Sequence, residues 1–186
     1  NEPLKYDTIA KSLRRINENP DRQARAILRP GETAGTSDIY LKVKDRFPGH
    51  LSYQFDSQGV RTTGAKRHGF TARHTNFFIP DSVLLAGTVF GRDFGAQFYQ
   101  YLIPLTPWGT KFTFGFSHSQ VAPKREATLL DIDGRSFTYS GTLSQTLFQT
   151  SRYAGDTHIG FDFKDSRTKD IGGTRRRDRL RILRTG

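Results

Sequence analysis

The sequence predicts a mainly β protein: a small unit of one helix and two strands, followed by about eight antiparallel strands of a transmembrane β-barrel. The first observation is a repeated alternation of apolar and polar residues after about residue 50, clearest in Lys111–Ser117. Such a segment has one apolar and one polar face. The second observation is the composition: 34% of the 186 residues are hydrophobic, while 15 are Phe and 18 are Gly. Leu, Ile and Val are too few for an ordinary core, whereas a barrel with a wet interior alternates aromatic with small polar residues.

Residues 1–48 have a different pattern from the rest of the chain. They begin with an amphipathic helix predicted at about residues 7–17, which an aspartate can cap. Alternating segments at 22–28 and 38–44 predict two strands. One helix and two strands are too few to be stable alone, so we expect this unit to have lost elements at its N-terminus. A Pro-Gly pair marks the boundary to the strand region, 49–186.

The strand region contains eight alternating segments of the length that crosses a bilayer as a tilted strand. They are predicted at about 50–56, 67–75, 82–91, 96–105, 110–120, 135–147, 156–165 and 178–184. The connections after the first, fifth and seventh strands are long and polar, whereas those after the second, fourth and sixth are mostly short. Long loops on one side and short turns on the other are typical of an outer-membrane barrel. The connection after the third strand is short and weakens this pattern.

Alternation also assigns side chains to two environments. The aromatic residues predicted to face lipid are Phe112, Phe114, Phe116, Phe137, Tyr139, Phe161 and Phe163. The polar residues predicted to face the lumen are Thr113, Ser117, Thr138, Thr142, Ser144 and Asp162. Further aromatic residues near strand ends predict an interfacial girdle, with ordinary turn packing as the alternative. These are Phe77, Phe78, Phe90, Phe94, Trp108, Phe148 and Tyr153.

The net charge of +11 would suit a nucleic-acid partner, but its distribution argues against one. The basic residues lie mostly in residues 1–48 and between strands, and the Arg-rich run at 175–184 has no interleaved aromatic residues. We therefore predict no nucleic-acid partner, and we expect loops that face solvent or lipopolysaccharide. The chain has no Cys and thus no disulfide or thiolate site.

No sequence pattern indicates an enzyme. His68 and His74 fall on one face of a strand, yet no third metal ligand lies at a spacing typical of a metal site. Ser140 is followed by Gly, but no Gly-x-Ser-x-Gly turn, phosphate-binding loop or dinucleotide fingerprint is present. We predict no catalytic residue, no metal and no cofactor.

The N-terminal region carries a resemblance to a known family. Arg14–Gly31, continuing through Gly35–Asp45, resembles the last POTRA domain of two-partner-secretion transporters, the haemolysin-activator family of bacterial outer-membrane proteins. Asp56–Gly59 is similar to the end of the family's first barrel hairpin, and Tyr101–Leu105 is similar to a paired strand end there. The resemblance covers essentially the whole chain. It implies that residues 1–48 are the C-terminal part of a POTRA domain and that the rest is the first half of the barrel, so we expect the chain to be a fragment.

The resemblance also implies a function. These transporters recognise an unfolded, secreted β-rich polypeptide, an adhesin or a haemolysin, in the periplasm and pass it through the barrel pore. The strand at 22–28 is expected to be a sheet edge that takes this polypeptide by β-augmentation. The residues expected to contact it are Arg22, Arg25, Ile27 and Leu28. The alternative for Ile27 and Leu28 is packing against the helix.

The implied location is the bacterial outer membrane, with residues 1–48 in the periplasm and outer-membrane lipid around the barrel. One alternative function is that of a related POTRA barrel that assembles or inserts outer-membrane proteins. A second alternative is a soluble, basic β-sheet protein that binds nucleic acid or polysaccharide. Partition into detergent separates this last class from the membrane proteins.

Overall fold

The chain divides into two compact units, Asn1–Pro48 and Gly49–Gly186. This division falls at the Pro-Gly pair noted in the sequence, while the identity of each unit as a domain type stays a prediction. The computed structural model describes residues 6–33, 35–59, 63–122, 133–150, 152–169 and 175–186. No helix in these ranges is long and apolar enough to span a membrane.

The first unit consists of one helix and a two-stranded antiparallel sheet. Helix α1 spans Tyr6–Ile16, strand β1 spans Arg22–Pro30 and strand β2 spans Ser37–Asp45. An acidic residue in the first turn of α1 and two basic residues in its last turn complement the helix dipole. All three predicted elements are confirmed, with bounds that differ by no more than two residues.

Asn17, which follows α1, joins the helix to the sheet. Its Nδ2 donates to the carbonyl oxygen of Ala24 at 3.1 Å, and its Oδ1 accepts from the N–H of Ala24 at 2.6 Å. Within the described part of the chain, Ala24 is the only buried apolar residue. The Asn17 side chain therefore takes the place that a neighbouring strand would have beside Ala24.

The second unit is one antiparallel sheet of eight strands. Each strand pairs with the next along the chain, so the sheet order follows the sequence order. All eight predicted strands are present, and the mainly β architecture is confirmed. The strands are β3 Gly49–Asp56, β4 Arg67–Thr75, β5 Val83–Phe90, β6 Phe94–Pro104, β7 Thr110–Val121, β8 Asp133–Gln149, β9 Ala154–Lys169 and β10 Arg175–Thr185.

The connections between these strands fall at two ends of the sheet. The turn end has the connections 76–82, 105–109 and 150–153. The loop end has the connections 57–66, 91–93, 122–132 and 170–174. Only two of the four loops are longer than every turn, so the asymmetry is weaker than the sequence suggested. The last loop is shorter than predicted because the ladder of β9 and β10 continues as far as Lys169 opposite Arg175.

The first turn, 76–82, has a fixed conformation. Asn76, Phe78 and Asp81 have φ angles of 62°, 62° and 59°, in the left-handed region that Asn and Asp tolerate best. The Asp81 N–H donates to Asn76 Oδ1 at 2.7 Å. The fully buried hydroxyl of Ser82 lies 2.7 Å from the carbonyl oxygen of Phe77. These bonds hold the Phe78 ring, 89% exposed, at the turn end.

Gly87 in β5 marks a close approach within the sheet. A Cβ there would lie 2.3 and 2.6 Å from two ring carbons of Phe98 and 3.0 Å from the carbonyl oxygen of Phe70. We expect Gly87→Ala to lower the free energy of unfolding by about 1–3 kcal/mol because the backbone oxygen is fixed. Gly95→Ala is the matched control, since no atom lies within 4 Å of its added Cβ. Denaturant titration of both variants, each in the same detergent, measures the difference in the free energy of unfolding. Equal stabilities would contradict the expectation.

Candidate membrane-facing and polypeptide-binding surfaces

The pairing register sorts the side chains of the second unit onto two faces, because directly opposed residues share a face. One face, which we call the aromatic face, carries most of the large apolar strand residues. All seven residues predicted to face lipid lie on it. Its large apolar members are Leu51, Tyr53, Phe55, Phe70, Leu84, Phe90, Tyr99, Tyr101, Ile103, Phe112, Phe114, Phe116, Phe137, Tyr139, Leu143, Ile159, Phe161, Phe163 and Leu183.

The opposite face, which we call the polar face, carries all six residues predicted to face the lumen. These are Thr113, Ser117, Thr138, Thr142, Ser144 and Asp162. Arg184 brings two of them together, since its Nη2 donates to Asp162 Oδ1 at 2.8 Å and to Thr142 Oγ1 at 3.4 Å. Arg184 was not among the residues predicted to face the lumen. Alternation along β10 was the available signal, but the contact depends on the register of three strands.

No described residue of the second unit covers the aromatic face. Phe114, Tyr139 and Phe161 are 48%, 45% and 50% exposed, and no apolar residue of the second unit is buried in the described ranges. A water-soluble sheet packs one face against a core. A large, contiguous apolar surface instead marks contact with a membrane or another protein. The aromatic face therefore needs an apolar neighbour.

The limit of the aromatic face runs obliquely across the strands. In the row of opposed residues that begins at Phe55 in β3, the last three strands carry Arg135, Arg167 and Arg177. The first large apolar residue of this face on β10 is Leu183, six residues beyond Arg177. In a barrel whose strands are tilted by about 40° and spaced about 4.8 Å apart, a plane parallel to the membrane crosses each strand at a different residue. Over the seven steps from β3 to β10 this displacement amounts to about eight residues. The observed shift is thus of the size that a tilted barrel needs.

Strands β5 and β6 depart from the expectation of a polar lumen. Their residues on the polar face are mostly apolar, namely Val83, Leu85, Val89, Ala96, Phe98 and Leu102. Both faces of these strands are mostly apolar. The alternation of apolar and polar residues therefore does not indicate which face is the polar one. The polar face consequently includes one apolar patch, where the ring of Phe98 covers Gly87.

The aromatic residues near strand ends are unevenly distributed. Phe90 and Phe94 lie at the loop end, but Phe94 belongs to the polar face, where the Arg67 guanidinium lies 5.1 Å from its ring centre. Phe94 therefore does not fit the predicted girdle. The other five lie at the turn end and are Phe77, Phe78, Trp108, Phe148 and Tyr153.

In the first unit, strand β1 is paired along one edge only within the described residues. The N–H of Gly31 donates to the carbonyl of Thr36 at 2.9 Å. Because backbone groups alternate between the two edges, the odd-numbered residues of β1 face β2. The even-numbered residues face the other edge, where Asn17 binds both backbone groups of Ala24.

The open part of this edge is short. Beyond Ala24, the outward N–H and C=O groups of Ala26 and Leu28 have no hydrogen-bond partner among the residues that the structure describes. Pro30 ends the edge because it has no N–H to offer. An added strand would therefore pair with Ala26 and Leu28.

The four residues predicted to contact a polypeptide lie in different environments. Arg22 forms an ion pair with Asp45 at 3.0 Å. Arg25 and Ile27 use their backbone groups toward β2, whereas Leu28 presents its own at the open edge. Ile27 and Leu28 are 43% and 55% exposed on opposite sides of the sheet, so they do not both pack against α1. Contact of these four residues with a polypeptide stays a prediction.

The two histidines noted in the sequence have separate surroundings. The Tyr53 hydroxyl lies 2.9 Å from His68 Nδ1, while the ring of His74 meets Phe77 edge-on at 5.5 Å. In the part of the chain that the structure describes, no group of three or more His, Cys, Asp or Glu residues is arranged to hold a metal.

No protein-family model and no curated protein matches this sequence. Among solved structures, the chain is similar to BamA from Haemophilus ducreyi lacking POTRA domains 1–3, with a TM-score of 0.63. The chain resembles a fragment of the BamA barrel. The identity to BamA is 13%, and the match covers 98% of this chain but only 37% of the BamA chain. At this identity the likeness shows the fold, and the resemblance to two-partner-secretion transporters stays a prediction.

Proposed function

We propose that this chain is part of an outer-membrane β-barrel protein that binds unfolded β-rich polypeptides and inserts or assembles them as outer-membrane proteins. The observation that carries the proposal is the uncovered aromatic face with its oblique limit. Soluble sheets do not leave such a surface open to water. The likeness to BamA, an outer-membrane protein-insertion barrel, favours this role over secretion.

In this proposal the aromatic face meets lipid acyl chains and the polar face lines the barrel interior. Aromatic contacts such as that of Phe116 with Tyr139, with ring centres 5.0 Å apart, stabilise the lipid side. The bonds from Arg184 to Asp162 and Thr142 satisfy charged and polar groups on the interior side. Barrel strands require this separation because lipid offers no partner to polar groups.

The first unit supplies the polypeptide-binding edge. A client polypeptide, meaning the unfolded protein that is bound, would add a strand beside β1 at Ala26 and Leu28. Main-chain hydrogen bonds supply affinity in this mode and do not depend on the client sequence. The side chains of Leu28 and Arg25 flank the edge and provide selectivity.

A second candidate function is secretion of a single partner. It is favoured by the sequence of Arg14–Gly31, which resembles the POTRA domain of two-partner-secretion transporters. In both functions the barrel spans the membrane and β1 receives an extended client.

Reconstitution of the whole protein that carries this chain into phosphatidylcholine vesicles tests the proposal. We expect the protein to resist extraction from the vesicles by alkaline carbonate and to accelerate the folding of an added, unfolded outer-membrane barrel. Full release into the aqueous fraction would contradict the membrane proposal. Passage of an adhesin-type polypeptide into the vesicles, without accelerated barrel folding, would favour secretion instead.

A further inference from the structure

Strands β8, β9 and β10 concentrate arginines on the aromatic face near the loop end. Arg135, Arg167 and Arg177 lie directly opposite one another in one row across the three strands. Like charges directly opposed across a sheet are destabilising. Asp133, whose Oδ2 lies 3.7 Å from Arg135 Nη2, and Asp165, which pairs with the other two arginines, offset only part of this repulsion, so a further anion over the row would be favourable. The cluster, which we call the arginine platform, consists of Arg135, Arg167, Arg175, Arg177, Arg179 and Arg181.

The described residues of the same face leave the platform with a large positive charge. Lys169 adds a seventh cation beside the six arginines. The carboxylates on this face of the three strands are those of Asp133 and Asp165. Seven cations against two carboxylates leave five positive charges, so the surface is complementary to a polyanion.

Asp165 organises the platform without neutralising it. Its carboxylate, 12% exposed, accepts from Arg177 Nε at 3.0 and 3.1 Å and also from Arg177 Nη2. The Nε atoms of Arg167 and Arg179 lie 3.6 and 3.9 Å from the same carboxylate. One negative charge thus gathers three guanidinium groups. Each guanidinium has five N–H donors, so donors remain for a further ligand.

Apolar side chains continue the face from the platform toward the turn end. Arg181 lies opposite Phe163, and Leu183 lies opposite Phe161. Arg181 has no ion pair with any residue that the structure describes. A molecule lying along this surface would therefore contact aromatic and aliphatic groups at one end and guanidinium groups at the other.

We infer that the arginine platform binds the phosphate groups of a negatively charged membrane lipid whose acyl chains lie on the adjoining aromatic face. Guanidinium groups bind phosphate through paired, charge-assisted hydrogen bonds. A phosphorylated lipid supplies both the anion over the arginine row and the apolar cover over Phe161 and Phe163. The inference rests on the membrane part of the proposed function, and it assigns the loop end to the leaflet that holds this lipid.

Lipid A, which carries phosphate groups and several acyl chains, is a suitable probe. The protein is reconstituted in phosphatidylcholine vesicles, and binding of fluorescent lipid A is titrated. We expect the double variant Arg167→Gln and Arg181→Gln to lose roughly 30-fold in affinity. The matched control is Lys164→Gln with Arg176→Gln, which removes two charges from the polar face of the same strands. We expect the control to change affinity by less than about threefold. Circular dichroism checks the fold of both.

A second double variant, Arg167→Lys with Arg181→Lys, keeps the charges and tests the platform if the Gln variant does not fold. It should retain intermediate affinity, because lysine binds phosphate as a point charge. Equal losses in the platform and control variants would overturn the inference. Equally tight binding of soluble polyphosphate would overturn it too, since the lipid chains would then contribute nothing. Failure to enter phosphatidylcholine vesicles would contradict the membrane proposal itself, whereas entry without preference for lipid A overturns this inference alone.

Discussion

Replacing Phe114 by Arg is expected to lower the free energy of unfolding in phosphatidylcholine vesicles by about 2–4 kcal/mol. Phe114 lies near the middle of β7 on the aromatic face and is 48% exposed. Its ring forms no ring–ring contact among the described residues, so the substitution tests the surrounding medium more than side-chain packing. An arginine at the centre of a lipid-facing surface loses its hydration without gaining a partner.

The neighbouring residue provides the control for this substitution. Thr113 lies on the polar face, opposite Thr142, and we expect Thr113→Arg to change the same free energy by less than about 1 kcal/mol. Urea titration of both variants in vesicles, followed by tryptophan fluorescence, gives the two values. A larger loss at Thr113 would mean that the faces are reversed. Equal losses would mean that neither face meets lipid.

Replacing Leu28 by Pro is expected to weaken the binding of an extended client peptide at least about tenfold while leaving β1 folded. The N–H of Leu28 points to the open edge, so its removal costs no bond to β2. The proline ring also occupies space that an added strand needs. A proline on an edge strand is tolerated for the same reason that Pro30 is.

Ile27→Pro is the contrasting variant. Ile27 is directly opposite Tyr40, and its N–H faces β2, so we expect the substitution to destabilise the two-stranded sheet by at least about 2 kcal/mol. Calorimetric titration with a client peptide measures binding, and amide hydrogen exchange of residues 22–30 reports whether the strand persists. Undiminished binding to the Leu28 variant would exclude this edge as the client site. Peptides from an outer-membrane barrel and from an adhesin, compared side by side, distinguish the assembly and secretion functions.

The strands of the second unit were predictable because each alternates apolar and polar residues over a length near that of the observed element. The segment at 67–75 has the same bounds in the structure as in the prediction. The two longest strands, β8 and β9, exceed the prediction at both ends because pairing extends the ladder through residues with weak alternation. The propensity of single residues does not encode that extension.

The sequence also predicted which residues share a side of β7, β8 and β9, but it did not predict the sides of β5, β6 and β10. In β5 and β6 both faces carry apolar residues, so no period of two identifies the interior side. In β10, Leu180 and Ile182 lie on the polar face while Arg181 lies on the aromatic face. That arrangement follows from the register with β9, which the sequence of β10 alone does not specify.

The client edge shows the same limit. The sequence located a strand near residues 22–28 and predicted contacts by four side chains, but it did not indicate which backbone groups are free. That depends on Asn17, which binds Ala24 from outside the strand, and on the register with β2. Hydrogen bonds formed by a side chain across seven residues leave no periodic trace in the sequence.

The sequence by itself determined that the chain contains two units, that the second is a series of eight strands, and that β7, β8 and β9 each have an aromatic and a polar side. These properties are local, because they follow from alternation and turn residues within each segment. The tertiary structure alone decided which residues stand in one row across strands. Register therefore revealed the oblique limit of the aromatic face, the open edge at Leu28 and the arginine platform around Asp165. Pairing brings together residues far apart in the chain, and their proximity is a property of the ladder that no single strand contains.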